Sequence, residues 1–315
     1  MGHLRVGLIG GGGISATHAR AARGIADVEI VAVHGANRDK VAALAREHGG
    51  APCDTLEAFF ATPMDIVAIG SPSGLHAEQA TAAARRGIHV LVEKPVDITT
   101  KKIDALIGET DRAGVKIGVF FQERMMPELA ALKTRIDAGE FGAPLAIDGR
   151  LDWYRPPEYY SGSRWRGRRT IDGGGALMNQ GIHTVDVMLW LFGDATRVMG
   201  RTATRLHQIE VEDTAAALIE FANGAFGTLH ATTAAAPGFP RRLTVTGTKG
   251  SITHEEPARP AAVADATPHQ RVFEDFIRAV RTNGTPACDA REGRRSVALI
   301  EAIYRSAQTG NWEKP

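Results

Sequence analysis

The stretch "RVGLIGGGGISATHARAA", residues 5–22, decides the fold. A short β-type run from Arg5 to Ile9 meets four glycines and then a helix-compatible segment. Gly10 and Gly12 fill the first two positions of the pattern G-x-G-x-x-G, and Ser15 stands at the third. The first glycine turns the chain sharply and the second lets backbone approach a pyrophosphate. The third position need only be small, so that helix can pack on strand. The start of the helix then offers free N–H groups to an anion. Taken alone, the pattern is equally a glycine-rich turn.

The following hundred or so residues favour the dinucleotide reading. "VEIVAVHG" (28–35), "DIVAIGSPS" (65–73), "HVLVE" (89–93) and "KIGVFF" (116–121) read as strands. Between them "RDKVAALAREHG" (38–49), "EQATAAARRG" (78–87) and "TTKKIDALIGETDRAG" (99–114) read as helices. Continuous apolar strands alternating with helices indicate a parallel sheet covered on both faces. Ligand then lies beyond the carboxyl ends of the strands, where Gly10–Ser15, Gly35–Arg38, Ser71–Pro72 and Glu93–Pro95 should converge.

Composition bounds the rest. The chain has 315 residues with 43% hydrophobic content, enough for a substantial core and two domains. Lys plus Arg number 37 and Asp plus Glu 36, a balance that argues against nucleic-acid binding by general electrostatics. Cys53 and Cys288 are the only cysteines and lie outside any metal-ligand spacing. No apolar run approaches the roughly 18 residues of a membrane span, and the N-terminal apolar run is too short for a signal-peptide core. A soluble cytoplasmic protein is expected.

Two features bear on the cofactor. The second strand ends in His34-Gly35-Ala36-Asn37-Arg38 with no acid before Asp39, so nothing there would repel a ribose 2′-phosphate. With Arg38 nearby, this favours NADP(H), NAD(H) remaining open; Arg38 is otherwise an exposed residue at a helix start. Glu93-Lys94-Pro95 stands at the end of the "HVLVE" strand, where a nicotinamide belongs.

The segment "DGGGALMNQGIHTVD" (172–186) raises a different question. On a helix, Asn179, His183 and Asp186 fall at i, i+4 and i+7 and share a face. Their neighbours are apolar nearly all round, the pattern of a buried helix. A buried polar group must be met by a partner or a ligand. Asn-His-Asp is a poor ligand set for a metal, and none is expected. Asp186 either holds the imidazole tautomer or closes a structural network.

Four ordered motifs, "GLIGGGGIS", "SPSGLHAEQ", "HVLVEKP" and "GGGALMNQGIHTVD", resemble those of the Gfo/Idh/MocA family, relatives of glucose–fructose oxidoreductase and inositol dehydrogenase. The resemblance covers almost the whole chain. It implies an N-terminal Rossmann domain (1–121), a doubly wound parallel sheet, and a C-terminal α+β domain (122–315) for substrate binding and oligomerisation. It also implies that Lys94 reaches the reacting carbinol, that Pro95 follows a cis bond, and that His183 is the catalytic histidine. An imidazole titrates near neutral pH, as proton exchange with a hydroxyl requires. Asn179 departs from the Asp found in many alcohol-oxidising members. Asn can orient a hydroxyl but cannot accept its proton, so proton transfer falls to His183 and Lys94.

The candidate cofactor contacts are Gly10, Gly12, Gly13, Ile14, Asn37, Arg38, Ser71, Pro72, His76, Glu93, Lys94 and Gln122. Candidate substrate contacts are Arg124, Tyr154, Trp165, Arg166, Asn179 and His183.

After "ELAALKTRIDAGEFG" (128–142), read as helix, the segments "TRVMGRTATRL", "EDTAAALIEF", "AFGTLHATTA" and "RRLTVTGTKGSIT" read as successive strands, with a tight hairpin at Asn223-Gly224. They predict an open, mainly antiparallel sheet. One face would cover helices; the other would serve a homodimer or homotetramer, as in the resembled family. "PARPAAVADATP" (257–268) reads as a loop before amphipathic helices.

Substrate clues gather in "WYRPPEYYSGSRWRGRRT" (153–170), where five arginines mix with Trp153, Tyr154, Tyr159, Tyr160 and Trp165. Aromatic faces stack on sugars, and guanidinium groups grip carboxylate or phosphate. The same residues also suit a solvated loop edge or an arm to another subunit. The segment resembles that of family members acting on a UDP-linked acetamido-sugar uronate.

The reading is an NAD(P)-dependent oxidoreductase moving a hydride between nicotinamide and a secondary carbinol or ketone of a sugar, sugar derivative or cyclitol. Two rivals keep the fold. One is a redox-neutral enzyme that cleaves glycosides by transient oxidation. The other is a non-enzymatic sensor, against which the retained Lys94 and His183 count.

Overall fold

A computed structural model of the chain describes residues 3–257 and 265–315. Most of the loop expected over 257–268 lies outside the described residues. The chain divides into two compact units.

In the first unit a six-stranded parallel sheet has the order β3-β2-β1-β4-β5-β6. Its strands are β1 Leu4–Ile9, β2 Val28–His34, β3 Ala51–Cys53, β4 Ile66–Ile69, β5 His89–Val92 and β6 Ile117–Val119. Helices α1 (Gly13–Arg23), α2 (Arg38–His48), α3 (Leu56–Ala61), α4 (His76–Ala84) and α5 (Thr100–Ala113) link them. This is the expected doubly wound arrangement. Ile66, Val67, Ala68 and Ile69 are all fully buried, as a strand covered on both faces must be. The sequence reading lacked β3 and α3: three residues after Gly49-Gly50 carry no periodicity to read. Helix starts are set locally, with Asn37 Oδ1 accepting from the Lys40 N–H at 2.9 Å and Thr55 Oγ1 from the Ala58 N–H at 3.1 Å.

The second unit holds another six-stranded sheet, ordered β12-β11-β7-β10-β9-β8. Helix α6 (Pro127–Asp137) precedes β7 (Pro144–Asp152), and two short helices, α7 (Pro157–Ser161) and α8 (Arg169–Asp172), lie within the arginine-rich stretch. Then come α9 (Ile182–Phe192), β8 (Ala195–Ala203), β9 (Thr214–Phe221), β10 (Phe226–Thr232), β11 (Arg241–Gly247) and β12 (Gly250–Glu256). All pairings are antiparallel except β7 with β10. The sequence reading lacked β7, the strand that makes this parallel pairing, and joined β11 and β12 into one. β9 alternates strictly: Ala215, Ala217, Ile219 and Phe221 face inward, while Leu218 is 52% exposed. On the covered face α9 lies so close to β7 that a Cβ on Gly149 would come within 2.6 Å of Met188 Sδ.

Helix α10 (Thr267–Arg281) follows the second sheet in the chain yet belongs to the first unit, as do the residues after it up to Gly293. Its apolar face, Val272, Phe273, Phe276 and Ile277, joins the core around Ala19, Ala22, Leu91 and Phe120. A Cβ on Gly118 would lie 2.6 Å from Phe276, so that glycine admits the ring. The last helix, α11 (Ala290–Thr309), completes the chain's elements. Among the described residues, no helix is long and apolar enough to cross a membrane. Phe276→Ala should lower the unfolding free energy by about 3–5 kcal/mol in denaturant titrations. A change under about 1 kcal/mol would show that α10 contributes little to the first unit.

Candidate active site

The glycine turn between β1 and α1 is shaped as a cradle. Gly10 has φ +126°, and a Cβ there would lie 2.7 Å from the Gly70 carbonyl oxygen. At Gly12 and Gly13 a Cβ would meet nothing within 4 Å. Space therefore opens just where α1 begins, and its capping residue Gly12 has no side chain to occupy the free amides. Ser15 is buried, and its Oγ would lie 2.3 Å from a Cβ on Gly10, so the third motif position is held small by contact. These residues fit a pyrophosphate. At the end of β2, Asn37 caps α2 and the exposed Arg38 pairs with Asp54 at 3.1 Å.

The turns after β4 and β5 are tied together. The buried His76 ring lies between two carbonyl oxygens, Ser71 O at 2.9 Å and Pro95 O at 2.7 Å. Ser71 Oγ donates to Gln79 Oε1 at 2.6 Å. Pro72 begins the single turn Ser73–Leu75 that leads into α4. The Lys94–Pro95 bond is cis, and the half-buried Lys94 stands in this turn.

Beneath it lies Glu93, 6% exposed. His18 Nε2 of α1 is 3.0 Å from Glu93 Oε1, His269 Nε2 of α10 is 3.8 Å from the same oxygen, and the Lys94 N–H donates to Oε2 at 3.1 Å. His18 stacks on Phe120 with centroids 4.1 Å apart. Burial pushes the Glu93 carboxyl up, but the His18 bond and the charges of His18, His269 and Lys94 outweigh it. The net shift is below the ordinary value of 4.5. Glu93, expected as a cofactor contact, thus spends its carboxylate on holding the lysine turn. Gln122 is buried, and its Oε1 has no hydrogen-bond partner. Arg124 is also buried and pairs with Glu292 at 3.1 Å.

In the second unit the run Asp172-Gly173-Gly174-Gly175 opens not an α-helix but a π-helical turn, Ala176–Gly181, from which α9 continues. This corrects the single α-helix expected to align Asn179, His183 and Asp186. The wider turn, closed by i→i+5 bonds, changes the face on which Asn179 stands relative to the other two. His183 is buried at the start of α9, and Asp186 accepts from Ser296 Oγ of α11 at 3.4 Å. Asn179 is fixed at both ends: its Nδ2 donates to Asp172 Oδ1 at 2.7 Å, and its Oδ1 accepts from Gln180 Nε2 at 2.7 Å.

The network runs on into the arginine-rich stretch. Gln180 Nε2 also donates to Tyr159 Oη at 2.9 Å, and Arg155 Nη2 donates to Gln180 Oε1 at 3.0 Å. Arg166 lies over the Tyr159 ring at 4.1 Å and the Trp165 ring at 5.5 Å; Arg155 lies over Trp153 at 5.0 Å. Tyr154 bridges to Ala234. Sequence reasoning missed Asp172, Gln180 and Glu212. Glu212 accepts from the Gly175 and Leu177 N–H groups, and burial pushes its carboxyl up against those bonds. Only long-range contact reveals such roles; the one local signal was an acid directly before the glycines.

His18→Leu tests the Glu93 cluster. A lowered carboxyl stabilises the fold above its unfolded value and loses that contribution as pH falls from about 4.5 through the folded value. The variant should be about 3 kcal/mol less stable at pH 7. The deficit should narrow below pH about 4.5, as read by denaturant unfolding at both pH values. A deficit independent of pH would leave the ion pair without effect.

Comparison with known proteins finds relatives for both parts of the chain. Residues 4–121 match a family described as an oxidoreductase family with an NAD-binding Rossmann fold, and residues 129–253 match the GFO/IDH/MocA C-terminal domain. Inositol 2-dehydrogenase of Rhizobium meliloti is 27% identical over 96% of both chains, and levoglucosan dehydrogenase of Pseudarthrobacter phenanthrenivorans is 26% identical over 99% of this chain and 98% of its own. Among solved structures, the WlbA dehydrogenase of Bordetella pertussis, in complex with NADH and UDP-GlcNAcA, superposes with a TM-score of 0.93. It is 32% identical and covers 100% of this chain and 98% of its own.

Proposed function

The chain belongs to the GFO/IDH/MocA oxidoreductase family, and we propose that it moves a hydride between nicotinamide and a secondary carbinol of an acidic, nucleotide-linked sugar. It is an NAD(P)-dependent dehydrogenase or reductase of CH–OH groups. One observation carries the reading: the first unit holds both an open glycine cradle at the start of α1 and a lysine-bearing turn at the end of β5.

Bound nicotinamide supplies a carbon that takes or gives the hydride. Everything else falls to the chain's own backbone and side-chain groups. Gly10, Gly12 and the first amides of α1 receive the pyrophosphate. Lys94 and His183 handle the hydroxyl proton, an imidazole being suited to exchange near neutral pH. Asn179, fixed by Asp172 and Gln180, orients the hydroxyl without taking its proton. Arg155 and Arg166, backed by aromatic rings, offer paired cations to a carboxylate or phosphate. The WlbA dehydrogenase, solved with UDP-GlcNAcA, supports that substrate class.

For the cofactor we favour NADP(H), since the end of β2 carries Arg38 and no acid. The NADH bound to the WlbA dehydrogenase favours the other choice, and kcat/KM measured with each cofactor decides it. Lys94→Ala and His183→Ala should each lower kcat at least about a hundredfold while sparing cofactor affinity. Retained turnover in both would remove the mechanism.

A cytoplasmic homodimer or homotetramer completes the proposal. The second sheet's uncovered face carries Leu218 and Phe226, 52% and 62% exposed, flanked by Thr228 and His230. Leu218→Glu should shift the mass measured by light scattering toward the monomer. An unchanged mass would clear this face of the role.

A further inference from the structure

The π turn over Ala176–Gly181 is held by side chains from far along the chain. Glu212, two residues before β9, is 7% exposed. Its Oε2 accepts from the Gly175 N–H at 3.1 Å and its Oε1 from the Leu177 N–H at 2.8 Å. Between them the Ala176 N–H donates to the Glu212 carbonyl oxygen at 2.9 Å. Three consecutive amides thus end on one residue, and the first N–H groups of a helical segment need such acceptors. The Tyr304 hydroxyl of α11 donates to Glu212 Oε1 at 2.9 Å and seats the carboxylate.

The glycine run is shaped by this clamp. A Cβ on Gly175 would lie 1.9 Å from the Glu212 carbonyl oxygen, and one on Gly174 would lie 2.0 Å from the Tyr304 hydroxyl. Neither contact is possible for a side chain. Without the clamp, the apolar sequence from Ala176 onward has no local reason to open into a π turn, and i→i+4 bonding would run through it. Asn179 would then rotate relative to His183.

We propose that Glu212, seated by Tyr304, is a positioning residue that holds the π turn and so sets Asn179 and His183 for the reaction. The inference rests on the dehydrogenase reading given above. Misplacement by about 1 Å costs a reaction up to a hundredfold, so the effect falls on turnover rather than on cofactor affinity.

The test compares full-length Glu212→Gln and Tyr304→Phe with wild type. It reads kcat and KM on the best nucleotide-sugar substrate, NAD(P)H affinity by fluorescence titration, and amide hydrogen exchange of peptides spanning 173–181. Glu212→Gln should lower kcat about tenfold or more, leave cofactor affinity within about twofold, and speed exchange at the start of the turn. Tyr304→Phe should do the same more weakly, by about threefold. Faster exchange with wild-type kcat overturns the positioning role, and unchanged exchange overturns the clamp. If Glu212→Gln does not fold, the same two outcomes in Tyr304→Phe decide. A wild type that turns over no sugar removes the dehydrogenase reading and the catalytic half of the inference, while exchange still decides whether Glu212 holds the turn.

Discussion

A carboxylate taken out of water must be met by donors or give up its charge, and the loops of this protein are arranged around that requirement. Glu93 in the first unit is met by His18 of α1 and by the amide of Lys94, with His269 of α10 close by. Helix α1 that follows the glycine turn, the turn that carries the lysine, and helix α10 are therefore joined through one side chain. In the second unit Asp213 is fully buried and accepts from the amides of Arg205, Leu206 and His207. Its neighbour Glu212 takes those of Gly175 and Leu177. Two adjacent acids just before β9 thus hold two separate stretches of chain, Gly175–Leu177 and Arg205–His207.

Rigidity at the site follows from these bonds. His76 spans the carbonyls of Ser71 and Pro95, so the turns after β4 and β5 cannot move independently without breaking a buried contact. The chain Asp172, Asn179, Gln180, Arg155 links the start of the π turn to the arginine-rich stretch through hydrogen bonds of 2.7–3.0 Å. A site built on helices and turns held this way keeps its geometry better than one carried on free loops. Asp172 also fixes which end of the Asn179 amide faces Gln180.

Much of the first unit was legible in the chain itself. Val6 to Ile9, Ile66 to Ile69 and Val90 to Val92 are apolar runs with glycine or charged residues at their ends, and that is all a doubly covered strand requires. The glycine cradle was equally plain, since Gly10 adopts a φ that only glycine takes readily. In the second unit, "EDTAAALIEF" was read as a strand ahead of the Asn223-Gly224 hairpin, but β7 was not read at all. "PLAIDGRLD" mixes charge, glycine and proline because one of its faces is open and the other must admit α9 at Gly149.

Local chemistry, then, determined the elements: period, capping residues and glycine positions are properties of neighbouring residues, and they suffice for the doubly wound sheet and the glycine turn, whereas the Lys94–Pro95 motif was legible only through the family resemblance. Tertiary structure decided everything that depends on residues far apart in the chain meeting at one atom. The placement of α10 on the first core, the commitment of Glu93 to two histidines and the opening of an expected α-helix into a π turn all belong there. Hydrogen bonds and close packing act over a few ångströms of space, whereas Glu212 stands 37 residues from Gly175; no pattern along the sequence carries that distance.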